Sequence, residues 1–289
     1  CIPPYIILDF GNKGLLGMIA SKAYGGLELK HSEIMRILEQ LGSIDLTLAL
    51  FVGLNNLLGI RPIMKYASNS AKDNLLPNLV NGRELAAFAL TEEGSGSNPL
   101  AMSSRAVVAN NGCWQLYGKK IWSGSASWAG VINTFVYASD MNGQEGVTGF
   151  ILKQGAQGLK QGSEALTMGL RGMVQNTLYL DGVSISEEYL LGSFGQGMDV
   201  AQDTMTYGRL AIAAVTLGSM KKCAQTMLRY ASRRNISTGN LFNNPVTLVH
   251  VSETVNSISV LESLIQTSTE FLDNDQELPI EYYTICKLS

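Results

Sequence analysis

Phe88-Ala89-Leu90-Thr91-Glu92-Glu93-Gly94-Ser95-Gly96-Ser97-Asn98-Pro99 is the stretch on which the fold turns. It begins as a β-prone run and passes into a loop rich in glycine and serine. Small residues let backbone N–H groups approach a bound anion or a planar ring closely, and the hydroxyls add donors. Taken alone, the run also reads as a surface turn. Further along, Gly118-Lys119-Lys120-Ile121-Trp122-Ser123-Gly124-Ser125 is again a strand end, with an indole followed by hydroxyls. Its ordinary reading is a core tryptophan with one polar tip.

Outward from these segments the texture changes twice. From Gly14 to about Leu85 the signals are helical. Ser32-Glu33 opens a segment with Ile34, Ile37, Leu38 and Leu41 on one face, and Gly42 is read as its stop. Leu46 to Leu58 reads as a very apolar helix, and Pro77 as the start of a short one. From Phe88 to about Leu191 the runs are short and β-prone: Arg105–Ala109, Trp114–Tyr117, Val131–Tyr137, Val147–Leu152 and Thr177–Leu180. Turn pieces such as Asn110-Asn111-Gly112 and Asn142-Gly143 separate them. From Met198 the helical texture returns and runs without proline to Arg234. Asn244-Pro245 then reads as a cap with a first-turn proline. Leu248, Val251, Val255, Ile258, Leu261 and Ile265 follow at bundle spacing. Leu278-Pro279 starts another helix. Helices, a β module and long helices again predict an α+β multidomain chain. The order is an N-terminal α-helical domain (1–86), a central antiparallel β domain (87–195) and an incomplete C-terminal helical bundle (196–289).

Composition narrows the function classes. With 289 residues, 46% of them hydrophobic, and a net charge of −3, the chain has a real core and no general attraction for phosphate backbones, so nucleic acid is excluded. Cys1, Cys113, Cys223 and Cys286 show no metal or disulfide spacing, and His31 and His250 are the only histidines, so no metal site is expected. The cysteine usage points to a reducing intracellular compartment, the cytoplasm by default. No apolar stretch is read as reaching the roughly 20 residues that span a bilayer. The chain opens on Cys1 without a methionine and closes at Ser289 soon after a helix start, which reads as a piece of a longer chain. There is no G-x-G-x-x-G after a strand, no P-loop and no G-x-S-x-G elbow. Gly192-Ser-Phe-Gly195-Gln-Gly197 has the wrong spacing and reads as a loop leading into a helix.

In this order, the two opening segments resemble the acyl-CoA dehydrogenase family. Its first signature is an aromatic-x-x-Thr-Glu-x-Gly-x-Gly-Ser run and its second a Gly-x-Lys-x-Trp run. The resemblance extends along nearly the whole chain. Gly14-Leu-Leu-Gly17 through Ala23-Tyr24-Gly25-Gly26, Met168-Gly-Leu-Arg-Gly172, Asp181-Gly-Val183 through Gly192, and Tyr207-Gly-Arg209 through Gly218 match family segments in order.

The resemblance implies FAD-dependent α,β-dehydrogenation of an acyl thioester, an oxidoreductase reaction of fatty acid metabolism. In the family a carboxylate removes the α-proton while the β-hydrogen leaves as hydride to the flavin. By resemblance Phe88, Leu90, Thr91, Gly96 and Ser97 line the flavin from the first segment, with Thr91 on the pyrimidine edge. Trp122, Ser123 and Gly124 flank it from the second, and Arg234 meets the FAD of a partner subunit. Family members often carry Thr or Ser where Gly124 stands, to reach the flavin N5. Arg209, Thr206 and Ser97 fall at the acyl end. Many members have an acidic residue at the place of Thr206, so an acyl carrier protein stands beside acyl-CoA as the substrate handle. One subfamily places the catalytic Glu where this chain has Gly208. The majority place it later, so the base is expected beyond Ser289 and no catalytic residue is assigned. The resemblance also implies an electron-transfer flavoprotein-like acceptor and a homodimer or homotetramer. A flavin monooxygenase, or an acyl- or flavin-binding module within a larger assembly, are the alternatives on the same scaffold.

Overall fold

The computed structural model describes residues 2–109, 112–276 and 278–289. Asn110 and Asn111 of the first turn piece, and Cys1, lie outside the described residues. The chain forms two compact units, one built from Cys1–Leu29 and Phe51–Gly208 and the other from Lys30–Leu50 and Arg209–Ser289. N-terminal helices, a β sheet and C-terminal helices follow one another in the expected order.

In the first unit the β-prone runs form one sheet. Its strands are β1 (Ala86–Ala89), β2 (Arg105–Val108), β3 (Trp114–Gly124), β4 (Val131–Ser139), β5 (Glu145–Lys153), β6 (Leu159–Glu164), β7 (Gln175–Ile185) and β8 (Leu190–Leu191). The order is β6-β7-β3-β2-β4-β5-β8, with β1 also on β4. β6 was not anticipated, because Leu159-Lys-Gln-Gly-Ser-Glu164 has no fully buried residue and no apolar alternation.

Most pairings are antiparallel, but β4 pairs in parallel with β1 along Val131–Thr134 and with β2 along Tyr137–Ser139. Two strands thus share one edge of β4 end to end. The chain between Leu90 and Ser104 has to leave the sheet, and that excursion is the Gly/Ser run. β4 is buried on both faces by strict alternation. Val131 and Phe135 join the core formed with Ile60, Ile63, Leu76 and Leu79, while Ile132, Val136 and Ala138 pack with Leu116, Phe150 and Leu178.

The apolar run after Ile44 is longer than expected. α3 (Leu46–Leu54) continues through a π-helical segment (Asn55–Ile60) into α4 (Arg61–Tyr66). The whole run has 21 residues, and an 18-residue window within it has a mean hydropathy of 1.4, so one helix does reach membrane-spanning length and composition. Its environment is that of a core helix. Asn55 Nδ2 donates to Leu16 O and its Oδ1 accepts from Ala86 N–H, and Asn56 Nδ2 donates to Leu15 O and Val52 O.

The π segment has an identifiable cause. Pro62 has no N–H to give the preceding turn. Asn133 of β4 fills that role, donating from Nδ2 to Leu58 O at 3.0 Å and Gly59 O at 2.8 Å. Gly59 is required there, since a Cβ would lie 2.6 Å from the Ala86 Cβ. α1 (Pro4–Asn12) and α5 (Asn69–Val80) complete the helical layer. Ser68 caps α5 through Ala71 N–H, so Pro77 lies inside this helix rather than at its start.

In the second unit α2 (His31–Ile44) runs past Gly42. That glycine is a contact residue and not a stop: a Cβ would lie 2.2 Å from Val215 O of α6 (Gly197–Arg233). Gly218 answers from α6, where a Cβ would lie 1.9 Å from Glu39 O. Lys221 bridges Glu39 at 2.9 Å and Glu262 at 2.5 Å. Asn244 caps α7 (Pro245–Asp273) through Val246 N–H, with Pro245 in the first turn as expected. Along α7, Leu261 and Ile265 are buried whereas Leu248 and Val255 are exposed. α8 (Ile280–Leu288) follows Pro279.

Replacing Asn133 by Ala strips two buried carbonyls of their donor. Urea unfolding is expected to show a loss of about 2–3 kcal/mol. A loss of less than roughly 0.5 kcal/mol, the range of an indifferent site, would mean that the π turn is satisfied without it.

Candidate functional site

The second signature segment carries a β-bulge. β3 pairs with β7 as Lys120↔Leu178 and then as Ser123↔Asn176, so Ile121 and Trp122 together oppose Thr177. Bulges re-aim side chains and release backbone groups. Here the Ile121 N–H turns away from β7 and donates to Thr91 O at 2.9 Å, joining the two signature segments directly. Trp122 takes a left-handed φ of 57° and Ser125 one of 58°, uncommon for residues with a side chain and typical of ligand-facing turns. The indole is 55% exposed, which removes the core-tryptophan reading.

Beneath the bulge lies a buried ion pair. Lys120 is fully buried; its Nζ reaches Glu92 Oε1 at 2.7 Å and Leu90 O at 3.1 Å. Glu92 also accepts from Ser103 N–H and Oγ, at 2.6 Å each, and from Ser104 N–H at 3.1 Å. Burial alone would raise the Glu92 carboxyl. The hydrogen bonds from Lys120, Ser103 and Ser104 outweigh it and hold the group at about 2. Burial pushes the Lys120 ammonium down, against the pull of Glu92. Neither residue was singled out from the sequence. In a Thr-Glu-Glu and a Lys-Lys pair, nothing local says which member turns inward.

Above the pair is a cavity of about 150 Å³. The sheet contributes Phe88, Leu90, Thr91, Ile121, Trp122, Gly124, Ser125, Met173 and Gln175 to it, and α3 with the π segment contributes Phe51, Leu54 and Leu58. Five expected residues therefore meet in one place: Phe88, Leu90, Thr91, Trp122 and Gly124. Ser123 lies behind the wall, buried, with its Oγ unpartnered. Gly96 and Ser97 are exposed in the loop and do not line the cavity. The helix wall, Met173 and Gln175 were not anticipated. Leu54 and Leu58 look like ordinary core residues until β1 is known to run past them.

The remaining expected residues sit on the C-terminal helices. Thr206 is buried and its Oγ1 donates back to Gln202 O at 2.9 Å, so its hydroxyl is used within α6. Gly208 faces Leu58 of the cavity wall, whose Cδ2 would be 3.1 Å from a Cβ. Arg209 is half-buried, with Nη1 enclosed and unpartnered. Arg234 is exposed in the second unit, where β9 (Asn235–Ile236) and β10 (Gly239–Asn240) form a hairpin after α6. Ser237 belongs to its turn. Among the described residues no group of acidic, histidine or cysteine side chains could hold a metal ion.

Comparison with known proteins agrees with this geometry. The acyl-CoA dehydrogenase N-terminal, middle and C-terminal domain models match residues 1–83, 87–183 and 195–289. The chain belongs to the acyl-CoA dehydrogenase family. It is 31% identical over 276 residues to a probable acyl-CoA dehydrogenase of Bacillus subtilis, covering 94% of this chain and 45% of that protein. The chain thus spans about half the length of that curated relative. Butyryl-CoA dehydrogenase from Megasphaera elsdenii superimposes with a TM-score of 0.92 at 23% identity, covering 98% of this chain and 75% of that one. An acyl-CoA dehydrogenase from Bacillus anthracis, solved in complex with FAD, does so at 0.87 and 27% identity, covering 98% and 48%.

Lys120→Met leaves the Glu92 carboxylate buried without its cation and is expected to cost about 3–5 kcal/mol in urea unfolding. Lys120→Met with Glu92→Gln is expected to lose much less. Equal losses in the single and double variants would show that the pair is not coupled. The depressed Glu92 carboxyl also sets a pH window. Between its unfolded value near 4.5 and about 2, the native state binds fewer protons than the unfolded state, so stability rises with pH there. Acid unfolding below pH 4.5 should therefore be shallower in Glu92→Gln than in the wild type.

Proposed function

We propose that the whole protein is a FAD-dependent dehydrogenase that oxidises the Cα–Cβ bond of an acyl thioester, with acyl-CoA as the first candidate substrate. The observation that carries this reading is the convergence of Thr91 and the Trp122 bulge on one cavity. The lining fits a flavin ring in kind. Phe88, Leu90, Ile121 and Met173 offer apolar surface, and Trp122 a half-exposed indole. Around them the Thr91, Ser125 and Gln175 side chains make no hydrogen bond among the described residues, so polar capacity is left at the cavity edge. Homologues solved with FAD or FADH2 support the assignment. When bound, FAD supplies the two-electron sink for the departing β-hydrogen.

The chain's own residues have distinct parts in this reading. Thr91 Oγ1 would hydrogen-bond the pyrimidine edge, and Trp122 with Phe88 and Leu90 would flank the ring. Leu54 and Leu58 keep water from the thioester, which strengthens every electrostatic contact there. Arg209, whose Nη1 lacks a partner, orients the acyl end or the base. Arg234 is reserved for the FAD of a partner subunit. Among the described residues no carboxylate lines the cavity, so in this reading the base that removes the α-proton comes from elsewhere in the protein.

The handle of the substrate is CoA or the phosphopantetheine arm of an acyl carrier protein. The Thr206 hydroxyl, held by Gln202, adds no free donor for either. The reading extends to an electron-transfer flavoprotein-like acceptor and a homodimer or homotetramer, the latter supported by exposed Val246, Val249 and Val260 on α7. Its compartment is reducing, the cytoplasm by default, in keeping with Cys113, Cys223 and Cys286 forming no disulfide among the described residues. The carboxylate-free lining, with Gly208 opposite Leu58, favours one second reading: a flavin monooxygenase or a binding module on the same scaffold.

Anaerobic mixing of the FAD-loaded full-length protein with acyl-CoA decides between them. Bleaching of the long-wavelength flavin band is expected, and an unchanged band with both CoA- and carrier-linked substrates would favour the second reading. Arg209→Ala is expected to lower turnover by about 2–4 kcal/mol of transition-state stabilisation while FAD content stays near one per subunit. Loss of FAD would move Arg209 to the cofactor, and no change in either would leave it a structural side chain.

A further inference from the structure

Gly124 and Gln175 face each other across β3 and β7 and both line the cavity. Directly opposed residues of an antiparallel pair point to the same side of the sheet. Gly124 adds no side chain to that side. Within 4 Å, a Cβ built there would meet only the methyl end of Met173, at 3.2 Å. At this end of the cavity the thioether of Met173 supplies bulk, and the carboxamide of Gln175 and the hydroxyl of Ser125 are the polar groups.

The backbone around Gln175 is fixed while its side chain is not engaged. Gln175 O accepts from Ala165 N–H at 2.7 Å, and Val174 O accepts from Ser125 N–H at 2.7 Å. The next residue, Asn176, is buried and its Nδ2 is given to Gln161. Beside the Thr91 and Ser125 hydroxyls, the Gln175 carboxamide presents both a donor and an acceptor to the cavity, with no hydrogen bond among the described residues. Gln175 is half-buried, so this carboxamide is accessible to water or to a ligand in the cavity.

We propose that Gln175 is a flavin-binding residue of this chain, its carboxamide making the polar contact to the ring edge at the Gly124 end, where residue 124 itself has no side chain to offer. This rests on the flavin reading above. A carboxamide suits the role because it can donate to a ring nitrogen that accepts when oxidised and accept from the same nitrogen when it carries hydrogen after reduction.

The test is FAD titration of the flavin-stripped protein, followed by fluorescence quenching and by the long-wavelength absorption band. The wild type is titrated first; failure to take up FAD at all would overturn the flavin reading, and this inference with it. Given wild-type uptake, Gln175→Leu and Gln175→Met are each expected to raise the Kd about tenfold, the worth of one hydrogen bond, and to shift the band. Gly124→Ser placed in the Gln175→Leu background is expected to recover most of the affinity, because its hydroxyl returns a polar group to the same edge. A wild-type Kd and spectrum in both single variants would overturn the assignment while leaving the flavin reading intact. Recovery confined to fold stability, with no recovery of Kd, would also count against it. Should Gln175→Leu melt early, the unbranched Gln175→Met carries the decision.

Discussion

The Lys120–Glu92 ion pair is the constraint on which the site depends. It lies fully inside the first unit, where an unpaired charge would be strongly unfavourable, so the two residues have to stay together. Lys120 is the last regularly paired residue of β3 before the bulge, and Glu92 immediately follows Thr91. Holding those two positions holds Thr91 and Trp122 in register. The Ser103 and Ser104 bonds to Glu92 tie the far end of the Gly/Ser excursion to the same carboxylate. One charge pair thus closes the loop that leaves the sheet at Leu90 and returns by β2.

A second constraint shapes the opposite wall. Pro62 and Asn133 together convert one turn of an apolar helix to π geometry, and Gly59 lets β1 pass close beside it. Leu54, Asn55 and Leu58 then line the cavity from the helix side. π segments inside α-helices often occur at functional sites. In this chain the geometry has a local origin in a missing proline donor and a substituting asparagine, with no need to invoke flexibility.

Much of the fold was legible because the periodicity changed cleanly from 3.6 to 2 and back. The Asn244-Pro245 cap and the strand cores around Val131–Tyr137 and Val147–Leu152 follow from patterns within a few residues. Features set by partners distant in sequence were not legible. Gly42 looked like a helix stop because its role, a close approach to Val215, lies on another helix. β6 is polar and owes its existence to pairing with β7. The cavity-lining positions Phe88, Leu90, Thr91, Trp122 and Gly124 were readable only through ordered resemblance, since glycine, serine and one tryptophan have no unique chemistry by themselves. Gln175 was invisible for the opposite reason. It belongs to no signature, and only strand register sets it opposite Gly124.

In the reading proposed above, the cavity between Thr91 and the Trp122 bulge holds the flavin. Hydrogen–deuterium exchange of the purified protein with and without FAD tests it directly. Slowed exchange is expected in peptides spanning 88–98, 120–126 and 172–176, with little change across the body of α7. Unchanged exchange in all three segments while FAD is demonstrably bound would contradict it.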